Sequence, residues 1–240
     1  MKHILLIVLL IFVGQTLGSL IGLLKRPKET FLYASLAFSA SMMLGISFFQ
    51  LMPEAFKIMP FYLVIVSFLA GIAIMQGVDY ALPHINPGLF GEEKPSFKKA
   101  VSMLVTGIAL HNLPEGLAIG VGFALRPELG IMIAMGIAAQ DVPENIATIV
   151  PLYGLTKERM KSFIIISGTI LFEVFGFIIG YYFLKGSSLI LLGASLSLAA
   201  GFMTYISIDE LIPAAKIREN PKITAASLTL GAICALAISF

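Results

Sequence analysis

Two short segments, HNLPEG at residues 111–116 and QDVPEN at 140–145, put groups able to hold a metal ion inside runs that are otherwise apolar. His111 and Glu115 stand four residues apart, with Asn112 three before Glu115. Gln140 and Glu144 repeat the spacing, with Asp141 three before Glu144. At helical periodicity each triplet occupies one face. Glu173, in LFEVFG, adds another carboxylate in an apolar run. The inventory is one imidazole, two amide oxygens and four carboxylates, all able to turn lone pairs inward. Four carboxylates brought together repel unless they take up protons or share a cation, and a divalent metal ion is the simplest common partner. Each triplet also holds a proline. Pro114 cannot donate to the carbonyl of Leu110, nor Pro143 to that of Ala139, which predicts a kink and a freed carbonyl beside the ligands.

The elements that position these groups are membrane helices. Of the 240 residues, 58% are hydrophobic and 12% charged, against about 45–50% and about 25% in ordinary soluble domains. A bilayer core of ~30 Å needs about 20 apolar residues in helix. Eight such spans can be cut out, at 4–24, 31–51, 61–82, 100–125, 129–152, 163–184, 189–212 and 223–240, within one integral domain covering 1–240. Lys and Arg test this division: twelve of the sixteen fall in alternate loops, namely Lys25, Arg26, Lys28, Lys94, Lys98, Lys99, Lys157, Arg159, Lys161, Lys216, Arg218 and Lys222. By the positive-inside rule those loops are cytoplasmic and both termini face outward. The segment MKHILLIVLLIFVG also has the basic and apolar regions of a signal peptide, but the run is long and followed by basic residues, so it is expected to remain as the first span.

This topology gives a depth to each polar group. His111 lies 11 residues past position 100, Gln140 lies 11 past 129, and Glu173 lies 10 past 163, about 15 Å into the layer in each case. A charged side chain there costs about 2.5–3.5 kcal/mol on insertion scales. One buried Glu or Asn is commonly a helix-packing hydrogen bond; seven polar groups at one depth ask for a shared ligand. Asp79, Asp209 and Glu210 fall toward the cytoplasmic ends of their helices and Glu54 toward an outer end, where capping or pore-mouth pairing is expected first and metal entry or exit second. Met42 and Met43 read as packing, with Met43 a candidate soft auxiliary ligand; His3 and His84 read as interfacial.

At these residues the chain resembles the ZIP (Zrt/Irt-like) family of divalent metal transporters. HNLPEG is similar to the fourth-helix motif of that family, QDVPEN to the fifth-helix motif, and LFEVFG to the segment with the sixth-helix glutamate. MMLGISFFQLMPEAF resembles the second helix, DYALPH the end of the third and AAGFMTYISIDELIPAAK the seventh. The resemblance implies an all-α bundle of eight spans with a binuclear midplane site between helices four, five and six. In it, His111, Glu115, Gln140 and Glu144 hold one metal, Asn112, Asp141 and Glu173 hold the second, Glu115 and Glu144 are available to bridge, and Met43 faces the first. It also implies alternating access, with helices one, four, five and six moving against two, three, seven and eight. Gln140 stands where many members have His, and Asn145 replaces the Gly of PEG. The loop HINPGLFGEEKPSFKK lacks a histidine-rich tract, so no loop-based metal sensing is expected.

The expected function is transport of a divalent transition metal into the cytoplasm, Zn²⁺ first, with Cd²⁺, Fe²⁺, Mn²⁺ or Co²⁺ as alternatives. Metal is cargo and no catalytic cofactor is expected. The expected partners are metal ions and the lipid bilayer of the cell membrane, with a homodimer open and no nucleic acid. One histidine among oxygen ligands suits borderline ions, and Cys234 alone makes neither a disulfide nor a Cu(I) site. An intramembrane metal-dependent hydrolase is the alternative. Such enzymes usually show three ligands with an open water position, often as H-E-x-x-H, a motif this chain lacks. A proton or organic-solute carrier using the same carboxylates is a third reading.

Overall fold

A computed structural model describes residues 2–25, 27–81 and 97–239. The described residues form eight long helices, numbered here in chain order: α1 (Lys2–Lys25), α2 (Glu29–Ile58), α3 (Phe61–Ala81), α4 (Phe97–Leu125), α5 (Pro127–Thr156), α6 (Arg159–Phe183), α7 (Leu189–Ala214) and α8 (Pro221–Ser239). Seven of these helices, all but α5, are long and apolar enough to cross a membrane, α1 over His3–Leu24 and α4 over Leu104–Leu125. The exception, α5, is 30 residues long, and Gln140, Asp141, Glu144 and Asn145 lower its mean hydropathy. The chain is a multi-pass membrane protein. His84 and the rest of the loop at 82–96 lie outside the described residues.

The helices differ from the expected spans in informative ways. α2 runs past residue 51 to Ile58 by passing through a wide π turn at Ser47–Leu51, in which the Met52 N–H bonds the Ser47 carbonyl. α7 does the same at Ser207–Leu211, with the Ile212 N–H on the Ser207 carbonyl. The two segments, ISFFQLMPEA and ISIDELIPAA, are repeats of each other, each with a proline just beyond the wide turn. Because proline cannot donate, a widened turn beside it re-registers the ladder and the helix continues. Pro114 and Pro143 lie within continuous helix. The discontinuity falls in α6, at Thr169 between Arg159–Gly168 and Ile170–Ile178. There the Thr169 hydroxyl takes the Ile166 carbonyl at 2.7 Å, a local competition typical of threonine.

Glycines decide how closely the helices approach. A Cβ at Gly14 or Gly18 of α1 would meet the backbone of α5 at Ala138 and Val142, and one at Gly116 or Gly120 of α4 would meet the carbonyls of Glu173 and Phe177 in α6. Gly71 and Gly201 likewise bring α3 and α7 together, and Gly45 and Gly231 bring α2 and α8 together. Small residues permit such approach where lipid supplies no hydrophobic drive between helices. α2 also packs on α5, and α4 on α7. The larger hydrophobic core runs through the bundle, with fully buried Ile7, Met43, Ile46, Ile133 and Ile137, and a smaller one gathers Leu23, Ile149, Leu152 and Ile166.

Candidate metal site

All seven residues of the expected ligand set are buried: His111, Asn112, Glu115, Gln140, Asp141, Glu144 and Glu173 are each at most 8% exposed. α4 carries the first three, α5 the next three, and the Gly116 contact fixes the register of α6 so that Glu173 faces them. The charges of Glu115, Asp141, Glu144 and Glu173 interact with one another. His111 and Glu210 interact with Glu144. The helices therefore bring His111, Glu115, Asp141, Glu144 and Glu173 near one another, with Gln140 bonded to Glu115, and add Glu210.

Inside the cluster the groups are partnered in pairs. The side-chain amide of Gln140 donates to Glu115 Oε1. His111 Nδ1 donates to the Gly107 carbonyl at 2.7 Å, while Nε2 lies 3.5 Å from Glu210 Oε2. With Nδ1 carrying a proton, the neutral ring bears its lone pair on Nε2, and a lone pair facing a carboxylate oxygen needs a proton or a metal between them. Asn112 Nδ2 donates to the Thr169 carbonyl at 3.2 Å and lies 3.3 Å from its hydroxyl, so the break in α6 orients the Asn112 amide. Ser39 of α2 donates to the Gln140 main-chain carbonyl at 2.7 Å. No three His, Cys, Asp or Glu side chains among the described residues form a closed ligand set. What the cluster offers is unpaired acceptors: Gln140 Oε1, Asp141 Oδ2, Glu144 Oε2 and Glu173 Oε1 are buried without a donor. Buried oxygens left unpaired cost about 1–3 kcal/mol each, more when charged, and a cation relieves several at once.

The remaining candidates lie around this cluster. Met43 is fully buried in the apolar core. Glu54 is 8% exposed and pairs with Lys57 at 2.7 Å and Arg126 at 2.5 Å. Asp79 accepts from the Tyr205 hydroxyl at 3.1 Å, and Asp209 is exposed. One residue was missed. Gln15 of α1 is 1% exposed and donates through Nε2 to Glu173 Oε2 at 2.8 Å. Its signal was available, because Gln15 lies 11 residues past the start of the first span, the same depth as His111.

The sequence profile of the ZIP zinc transporter family matches residues 91–239, more than half of the chain. This protein belongs to the ZIP family. Its ZIP relatives cover nearly the whole chain. It is similar to the zinc transporter ZupT of Corynebacterium aurimucosum, with 34% identity over 227 residues, 88% of this chain and 86% of that one. It is also similar to the ZupT of Chlorobium limicola, 34% identical over 243 residues, 93% of this chain and 91% of the relative. To an Escherichia coli ZupT it is 30% identical over 209 residues, 83% and 81% of the two chains. ZIP proteins are transport proteins, so the chain is not an enzyme, and the hydrolase alternative falls.

Proposed function

We propose that this protein carries Zn²⁺ and closely similar divalent ions across the cell membrane into the cytoplasm, through a binuclear site between α4, α5 and α6. Names of the similar proteins support the cargo. The observation that carries the site is the buried group of carboxylates with unpaired oxygens, Asp141 Oδ2, Glu144 Oε2 and Glu173 Oε1. His111, Glu115, Gln140 and Glu144 take the first ion, with Met43 as auxiliary. Asn112, Asp141 and Glu173 take the second, and Glu115 and Glu144 bridge. To bind, an ion displaces the Gln140 amide from Glu115 and inserts at His111 Nε2. Carboxylates that remain ionised beside the metal regain affinity for protons as it leaves, which favours exchange. Glu210, beside His111, offers a next oxygen toward the cytoplasm, with Asp79 and Asp209 further along and Glu54 at the outer mouth.

Alternating access fits the packing. The tightest glycine contacts join α1 to α5, α4 to α6, α3 to α7 and α2 to α8. Across the boundary between these two sets, the one glycine approach among those described, Gly136 in α5, meets the side chain of Ile46 at 3.0 Å. Side chains yield where backbones do not, so α1, α4, α5 and α6 slide as a body against the rest. The Lys and Arg distribution supports outward termini, and a single domain in the cell membrane, with a homodimer open, belongs to the same proposal. The test is ⁶⁵Zn²⁺ flux into proteoliposomes. Uptake is expected to require both His111 and Glu115, and undiminished uptake by His111→Ala or Glu115→Ala would remove the site assignment.

A further inference from the structure

We infer that Gln15 completes the second cation subsite, holding Glu173 through its amide nitrogen and giving its amide oxygen to the ion; the inference rests on the metal-transport reading above. Gln15 is 1% exposed in the middle of an apolar helix, where an amide without partners is costly. Its nitrogen has a partner, Glu173 Oε2 at 2.8 Å. Its oxygen has none, and neither has Glu173 Oε1 or Asp141 Oδ2. α1 runs close to α5 at this level, since a Cβ on the adjacent Gly14 would lie 2.8 Å from the Ala138 carbonyl oxygen and 3.2 Å from Asp141 Cβ. Three orphan oxygens, on Gln15, Asp141 and Glu173, are thus gathered by three helices with no donor shared among them.

An amide suits this place chemically. A carboxylate at position 15 would add charge to a cluster that already repels itself, and an apolar side chain would leave Glu173 Oε2 unpaired. Glutamine supplies one donor that fixes the orientation of Glu173 and one neutral oxygen that hard and borderline divalent ions accept. Because α1 is joined to α5 through Gly14 and Gly18, Gln15 travels with Asp141 and keeps the subsite whole during transport.

The experiment is Zn²⁺ binding to the purified full-length protein in detergent, measured by equilibrium dialysis and calorimetry, alongside flux. Wild type is expected to bind two ions. Gln15→Leu, close in volume, is expected to keep the first ion at wild-type affinity and to weaken the second about 10–100-fold, the range seen when a supporting group of a metal site is lost. Gln15→Asn, one methylene short, should behave as Gln15→Leu and serves if the leucine variant does not fold. Two ions at wild-type affinity in either Gln15→Leu or Gln15→Asn overturns the inference. If wild type binds two ions and Glu115→Ala abolishes binding while the Gln15 variants match wild type, the transporter reading stands and only the role of Gln15 fails. If wild type binds none, both fail.

Discussion

The Gln140 amide donates to the Glu115 carboxylate, joining HNLPEG to QDVPEN across α4 and α5. One side chain thus restrains a carboxylate of the proposed site, and an ion bound there would take its place. Exchanging that amide for an imidazole changes both roles. Gln140→His is expected to tighten Zn²⁺ relative to Mn²⁺ by about tenfold, because imidazole suits zinc and oxygen suits manganese. Competition of each ion against ⁶⁵Zn²⁺ checks it, and an unchanged ratio would count against Gln140 as a ligand.

Saturating Zn²⁺ should stabilise the folded protein. At 100 times its dissociation constant, an ion bound only by the native state contributes about 2.7 kcal/mol, which appears as a rise in melting temperature in detergent. The rise should vanish in Glu115→Ala and persist in a variant of the distant Lys185.

Two glycines make a controlled pair. At Gly116 an added methyl meets the Glu173 carbonyl, whereas at Gly154 it meets nothing within 4 Å. Gly116→Ala should therefore destabilise by at least about 1–3 kcal/mol and reduce Zn²⁺ affinity by moving Glu173. Gly154→Ala should stabilise by about 0.5–1 kcal/mol through helix propensity. Thermal melts of the two variants should move in opposite directions.

The outer ion pair between Glu54 and Arg126, at 2.5 Å, ties the end of α2 to the turn between α4 and α5. Arg126 is about half exposed, at 48%, so solvent screens the pair and a double-mutant cycle of Glu54→Gln with Arg126→Gln should give a coupling of at most about 1 kcal/mol. If the two helix sets slide as proposed, the same variants should raise the accessibility of a cysteine probe placed beside the pair, since it links one set to the other. Equal labelling with and without the pair would rule out that linkage.

Much of this was legible in the sequence because membrane burial makes each polar residue conspicuous. His111, Glu115, Gln140, Glu144 and Glu173 stand out at one depth, and the helices do gather them. Pro114 and Pro143 lie within continuous helix, and the break in α6 occurs at Thr169, where a hydroxyl competing for a carbonyl leaves no pattern in hydropathy. Glu210 was placed at a helix end, but the π turn before Pro213 turns it to His111. Gln15 was overlooked because one amide in an apolar helix resembles ordinary packing until its neighbour is known.

The uneven distribution of close backbone contacts has a consequence for how this sequence can change. A single added methyl meets backbone along four seams, whereas at Gly136, on the boundary between the halves, it meets only the end of the Ile46 side chain. In a library of all substitutions, the most permissive stripe through the interior should therefore trace the surface on which we propose the carrier shears, so that tolerance to mutation would map the proposed motion.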